Sequence, residues 1–90
     1  MEKQEAKIIA VERVQTGVRI EKKILKVLKG LAEYHDITLG DLLEGIVLHV
    51  FEGKVPFGDE SMKVIEKLKV LYKMDYTAQN SHNLIESKTE

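Results

Sequence analysis

The chain has 90 residues, a formal net charge of −1 and no cysteine. That length sets the scale of one small domain with a modest core, and the missing thiols exclude disulfide staples and cysteine metal sites. Additional burial is therefore expected from a second subunit.

Residues 1 to 12 read as an N-terminal arm. Met1 to Lys7 mixes Glu2 and Glu5 with Lys3 and Lys7 and leads into no long apolar run, so no signal peptide is expected. The small patch Ile8, Ile9 and Val11 is compatible either with an extension of the following strand or with packing on the body. No stretch is apolar and long enough to span a bilayer, and the cytoplasm is the expected location.

Residues 13 to 20 alternate Arg13, Gln15, Gly17 and Arg19 with Val14, Thr16, Val18 and Ile20. This period of two predicts a β-strand. No second strand pattern lies nearby, and a lone strand is unstable in water, so pairing with a second chain is expected.

After the charged run Glu21, Lys22 and Lys23, the apolar period changes to that of a helix. Ile24, Leu25, Val27, Leu28, Leu31 and Ala32 form one stripe, with Lys22, Lys26, Lys29 and Glu33 opposite. Gly30 interrupts it at a cost of about 1 kcal/mol relative to Ala, a hint of close backbone packing or a tolerated defect. Tyr34, His35 and Asp36 end this first helix.

Thr38 is placed as the N-cap of a second helix, with Asp41 three residues on in a variant of the capping box. Leu39, Leu42, Leu43, Ile46, Val47, Val50 and Phe51 give this helix a wide apolar face, so it is expected to be the main core helix, stopped by Gly53. Residues 54 to 58, with the only proline, form a connector. Asp59 is expected to cap a third helix reaching about Met74, anchored by Met62, Ile65, Leu68 and Leu71 with Tyr72. From Thr77 to residue 90 the polar composition predicts a disordered or loosely attached tail.

Charge is segregated along the chain in a way that the net value hides. From Arg13 to Gly30 six cations face Glu21 alone, a local sum of +5, whereas from Leu31 to Glu60 seven acids face Lys54 alone, a sum of −6. A lysine-lined helix face is often no more than solvated surface. Here it adjoins a strand whose polar side carries arginine and glutamine, a combination suited to nucleic acid.

A strand, a short turn, a helix, a tight turn with a threonine cap and an apolar helix, over residues 13 to 53, together resemble the ribbon-helix-helix family of Arc-, MetJ- and CopG-type repressors. The resemblance implies a mostly α fold. One N-terminal strand would pair antiparallel with that of a partner in an intertwined homodimer, and here an extra C-terminal helix would follow. The shared core would contain Val14, Val18, Ile20, Leu28, Leu42, Leu43, Ile46, Val47 and Val50. In this family the two-stranded ribbon enters the DNA major groove.

The same resemblance places three base-reading positions on Gln15, Gly17 and Arg19. Arginine can form a bidentate pair with guanine and glutamine with adenine, each worth roughly 1 to 3 kcal/mol of discrimination. Gly17 departs from the family pattern because it carries no side chain to read with. The start of the second helix, at Thr38, Leu39 and Gly40, is the implied backbone-phosphate anchor, although Asp41 beside it opposes an anion. Arg13, Lys22 and Lys23 would add attraction to phosphate.

The implied function is sequence-specific DNA binding by a homodimer that represses transcription, commonly of its own operon in a prokaryotic, plasmid or phage setting. The alternative is an antitoxin-like or adaptor module that engages a protein through the C-terminal helix, with little or no DNA binding. No enzymatic role, cofactor or metal is expected. His35, His49 and His82 lack ligand spacing, and the pairs Asp41/Glu44 and Asp59/Glu60 sit at helix starts, where the helix dipole favours negative charge.

Overall fold

The computed structural model describes residues 7–87 and is all-helical there. Three α-helices follow one another, α1 over Lys22–His35, α2 over Leu39–Phe51 and α3 over Asp59–Leu71, with a short 3₁₀ turn at Ala78–Asn80. The first half of the expected arm, residues 1–6, lies outside the described residues.

The predicted strand is absent, and with it the antiparallel pairing of a ribbon-helix-helix fold. Residues 7 to 21 carry no regular secondary structure, and no strand occurs among the described residues. Alternation of side chains describes two faces of an extended backbone but supplies no partner for its N–H and C=O groups. Strand formation requires a second segment in register, and the described chain offers none.

The helix boundaries follow local chemistry. Glu21 caps α1 by accepting a 2.8 Å hydrogen bond from the Ile24 amide. Asp36 ends α1 in the left-handed region at φ 59°, and the Ile37 amide donates to the Ala32 carbonyl at 3.0 Å. Thr38 caps α2 as expected, its hydroxyl oxygen accepting from the Asp41 amide at 3.0 Å. Gly53 is the expected stop, because the chain reverses there at φ 71° and the Lys54 amide returns to the His49 carbonyl at 2.8 Å.

The third helix differs from expectation at both ends. Asp59 is its first helical residue and not its cap; Gly58 holds the cap position without a side-chain hydrogen bond. The helix stops at Leu71, short of Met74, because Lys73 turns left-handed at φ 55° and the Met74 amide closes on the Lys69 carbonyl at 2.8 Å.

The core centres on α1. Helix α1 packs against both α2 and α3, and Leu31, Ala32 and Leu42 form the buried cluster, flanked by Leu28, Ile46, Phe57, Val64, Ile65 and Leu68. The expectation that α2 would be the main core helix is corrected: of its wide apolar face only Leu42 is buried, while Val47, Leu48, Val50 and Phe51 are exposed. With one neighbouring helix, a face this wide can be covered only in part. In α3, Val64, Ile65 and Leu68 reach the core whereas Leu71 is exposed.

Gly30 marks the closest approach of α1 and α3. A methyl group placed there would lie 2.9 Å from a Leu68 methyl carbon, closer than carbon atoms pack, so the absent side chain lets the Leu68 side chain lie against the α1 backbone. Two polar ties reinforce this pairing at the other end of α3. The Tyr34 hydroxyl donates to Glu60, and His35 Nε2 lies 2.9 Å from the Ser61 hydroxyl oxygen.

Candidate nucleic-acid interface

Five of the nine residues expected to meet DNA, Arg13, Arg19, Lys22, Thr38 and Gly40, line two separate clefts. The first lies at the start of α2, where Thr38, Gly40, Asp41 and Glu44 face Glu12 and Arg13 of the extended segment. Three residues singled out as phosphate contacts, Arg13, Thr38 and Gly40, thus line one surface although 25 residues separate Arg13 from Thr38. The first amides of a helix have no intrahelical acceptor; of those at this cleft, the Asp41 amide is taken by the Thr38 hydroxyl, while Leu39 is not among the lining residues.

Its electrostatics are mixed. Arg13 donates from Nε and Nη2 to the two carboxylate oxygens of Glu44 at 2.8 and 2.9 Å. This fork is the favoured geometry for an arginine–carboxylate pair. The hydrogen bond and charge of Glu44 raise the Arg13 pKa above its ordinary value, while the hydrogen bond from Arg13 holds the Glu44 carboxyl below its own. Both side chains are exposed, so solvent screens the pair and keeps it exchangeable.

The second cleft is lined by Arg19, Ile20, Glu21, Lys22, Tyr76 and Leu84, and Glu86 closes it. Arg19 donates from Nη2 to the Glu86 carboxylate. The Tyr76 hydroxyl donates to the free oxygen of the α1 cap, Glu21, at 3.0 Å. Partial desolvation pushes the Glu21 carboxyl up, but hydrogen bonds from the Ile24 and Lys23 amides and from Tyr76, with the Lys23 charge, outweigh it and leave the pKa lowered. The same contact raises the Tyr76 pKa, chiefly because its hydroxyl proton is held by a carboxylate.

The remaining residues of the predicted set are distributed as follows. Gln15 and Gly17 lie on the exposed extended segment, and nothing stands within 4 Å of a side chain built at Gly17. The fold of the single chain therefore makes no demand for glycine there. Lys22 is exposed, whereas the Lys23 ammonium donates to the Lys73 carbonyl at 3.1 Å, where it caps the C-terminal turn of α3. Lys26 lies over the Tyr72 ring at 5.4 Å. Two of the six cations between residues 13 and 30, Lys23 and Lys26, thus brace α1 against the end of α3.

The residues assigned to a dimer core divide in the same way. Leu42 is buried and Leu28, Leu43 and Ile46 are half-buried within the chain, whereas Val14, Val18, Ile20, Val47 and Val50 are exposed. Val14 and Val18 are 80 % and 74 % exposed, so the described residues leave these two apolar side chains largely uncovered.

Sequence reasoning did not find Glu44, Glu86, Tyr76 or the His35–Ser61 contact. Glu86 and Tyr76 lie more than 50 residues from their partners, and no periodicity links such positions. Glu44 carried a signal, the acidic surplus of residues 31 to 60, but not a partner. His49 uses Nδ1 on the Gly45 carbonyl of its own helix at 2.8 Å, and no group of three or more metal-ligating side chains occurs among the described residues.

The arrangement defines a class: a three-helix body that presents an extended, arginine-bearing N-terminal segment. Comparison with protein-family models, curated proteins and solved structures finds no match. No helix among the described residues is long and apolar enough to cross a membrane.

Proposed function

We propose that the chain is a cytoplasmic, sequence-specific DNA-binding homodimer that represses transcription. Its extended segment supplies the contacts: Arg19 and Gln15 toward base edges, Arg13 with the Leu39 and Gly40 amides toward one phosphate, and Lys22 toward another. The observation that carries the reading is the exposure of this segment, which combines two arginines and a glutamine with an uncovered apolar side. Arginine on a solvated backbone is suited to bidentate pairing with guanine and to phosphate contact. The uncovered Val14 and Val18 of the segment and Val47 and Val50 of α2 supply apolar surface for a second copy.

A second reading is favoured by a different observation. The two arginines of the segment are already paired with carboxylates of their own chain, and α3 exposes Val70 and Leu71, 77 % and 66 % accessible. On that reading the chain is a protein-interaction module whose C-terminal helix holds an antitoxin-like or adaptor contact, with weak DNA binding.

Selection from a random duplex pool separates the two, followed by binding of the enriched sequence against scrambled DNA at two salt concentrations. Enrichment of a repeated or palindromic site, with affinity falling steeply as salt rises, supports the repressor reading, because phosphate contacts release counterions. Absence of enrichment moves the function to protein partners. Within the first outcome, Arg19→Ala relaxes the sequence preference. An unchanged preference removes Arg19 from base reading.

A further inference from the structure

We propose that the C-terminal segment, residues 84 to 86, is a built-in competitor of the anionic ligand of Arg19. The Glu86 carboxylate takes the place on the Arg19 guanidinium that a DNA acceptor would take. The inference rests on the DNA-binding reading above.

The path of the chain supports it at several independent points. After α3 closes at Lys73 and Met74, the Lys73 carbonyl is held by the Lys23 ammonium at 3.1 Å, and the Tyr76 hydroxyl is fixed on Glu21 at 3.0 Å. These contacts bring the chain back to the start of α1, next to the extended segment. Thr77 and Asn80 then form a capping box around the 3₁₀ turn, and the Asn83 amide donates to the Asn80 carbonyl at 2.9 Å. This turn directs residues 84 to 86 along Arg19 and Ile20, where Leu84 is half-covered and Glu86 meets Arg19.

A strap of this kind is anchored near its base and weak at its tip. Tyr76 is partly buried, whereas the side chains of Arg19 and Glu86 are 84 % and 72 % exposed. An exposed ion pair contributes little and is screened by salt, so a duplex that offers guanine or phosphate oxygens can displace it. The consequence is a lowered apparent affinity, scaled by the fraction of molecules whose Arg19 is free. The same factor applies to every duplex that engages Arg19, so the strap lowers affinity without changing the ratio between matched and mismatched sites.

The test is a double-mutant cycle on the full chain, with fluorescence anisotropy of the enriched duplex at fixed low salt, using wild type, Glu86→Gln, Arg19→Ala and the double variant. The expected result is about two- to fivefold tighter binding for Glu86→Gln, the range set by an exposed ion pair, and no such gain when Arg19 is already alanine. Leu84→Ser, which loosens the strap without altering charge, is expected to shift affinity in the same direction. Equal affinities for wild type, Glu86→Gln and Leu84→Ser overturn the competition while leaving the DNA-binding reading intact. An equal gain in the Arg19→Ala background also overturns it, since net charge alone would then account for the effect. Absence of binding by all the variants overturns the competition and the DNA-binding reading together.

Discussion

Between α1 and α3, Leu31 is 1 % exposed and the Leu68 side chain lies close against Gly30, whereas the extended segment leaves Val14 and Val18 largely in water. Both regions carry apolar side chains at regular spacing. The helical pair satisfies its backbone internally, so its apolar stripes are free to bury each other. Among the described residues the extended segment's backbone finds no strand partner, and the segment is held by side-chain tethers such as Arg13 to Glu44 and Arg19 to Glu86. Stability thus resides in the helices, and surface for other molecules resides in the segment.

The contrast breaks most easily at its buried end. Leu31→Ala is expected to cost about 2 to 5 kcal/mol, a fall in melting temperature of roughly 4 to 8 °C per kcal/mol for a domain of this size. Thermal unfolding followed by circular dichroism measures it. A loss below about 1 kcal/mol would mean that the core lies elsewhere.

Gly30→Val is the next largest effect, about 1 to 3 kcal/mol of overpacking against Leu68. Measured against Leu68→Ala, the same Gly30→Val change should cost far less, whereas an undiminished penalty in that background would locate the strain within α1 itself.

Caps come third. Thr38→Ala and Glu21→Ala are each expected to cost about 1 kcal/mol at neutral pH in urea unfolding. Because the folded Glu21 carboxyl titrates below its ordinary value, its contribution is complete above the usual glutamate range near about pH 4.3. It is lost as pH falls through the lowered folded value. The gap between wild type and Glu21→Ala should therefore narrow in acid; a gap that widens there would contradict the assigned hydrogen bonds.

The smallest effect tests the other region. Val14→Ser and Val18→Ser are expected to leave the stability of the dilute chain within about 0.5 kcal/mol of wild type. In a homodimer, however, they should weaken self-association in sedimentation equilibrium and remove any concentration dependence of the melting temperature. Identical sedimentation of wild type and variants would place the dimer contact away from the extended segment.

Legibility followed the range of the interactions. Thr38 and Gly53 were readable because a cap and a left-handed stop act within five residues. The start of α3 was misplaced by one position because Asp59 is a favoured cap residue, whereas Gly58 takes that position with no side-chain hydrogen bond to mark it. The stripe of α1 was legible in full. The stripe of α2 was equally clear, yet its depth of burial was not, since periodicity tells which residues share a face but not how many neighbours that face meets. The strand failed for the same reason at the level of the backbone.

Propensity, capping and charge are local properties of the chain, and they account for the three helices, most of their ends and the concentration of cations between residues 13 and 30. Packing across the chain made α1 and not α2 central, left the extended segment without a strand, and brought Arg13 and Arg19 to Glu44 and Glu86. Those outcomes depend on which surfaces are brought together by chain reversals at Asp36, Gly53 and Lys73, and contacts across 31 and 67 residues leave no periodic trace in the sequence.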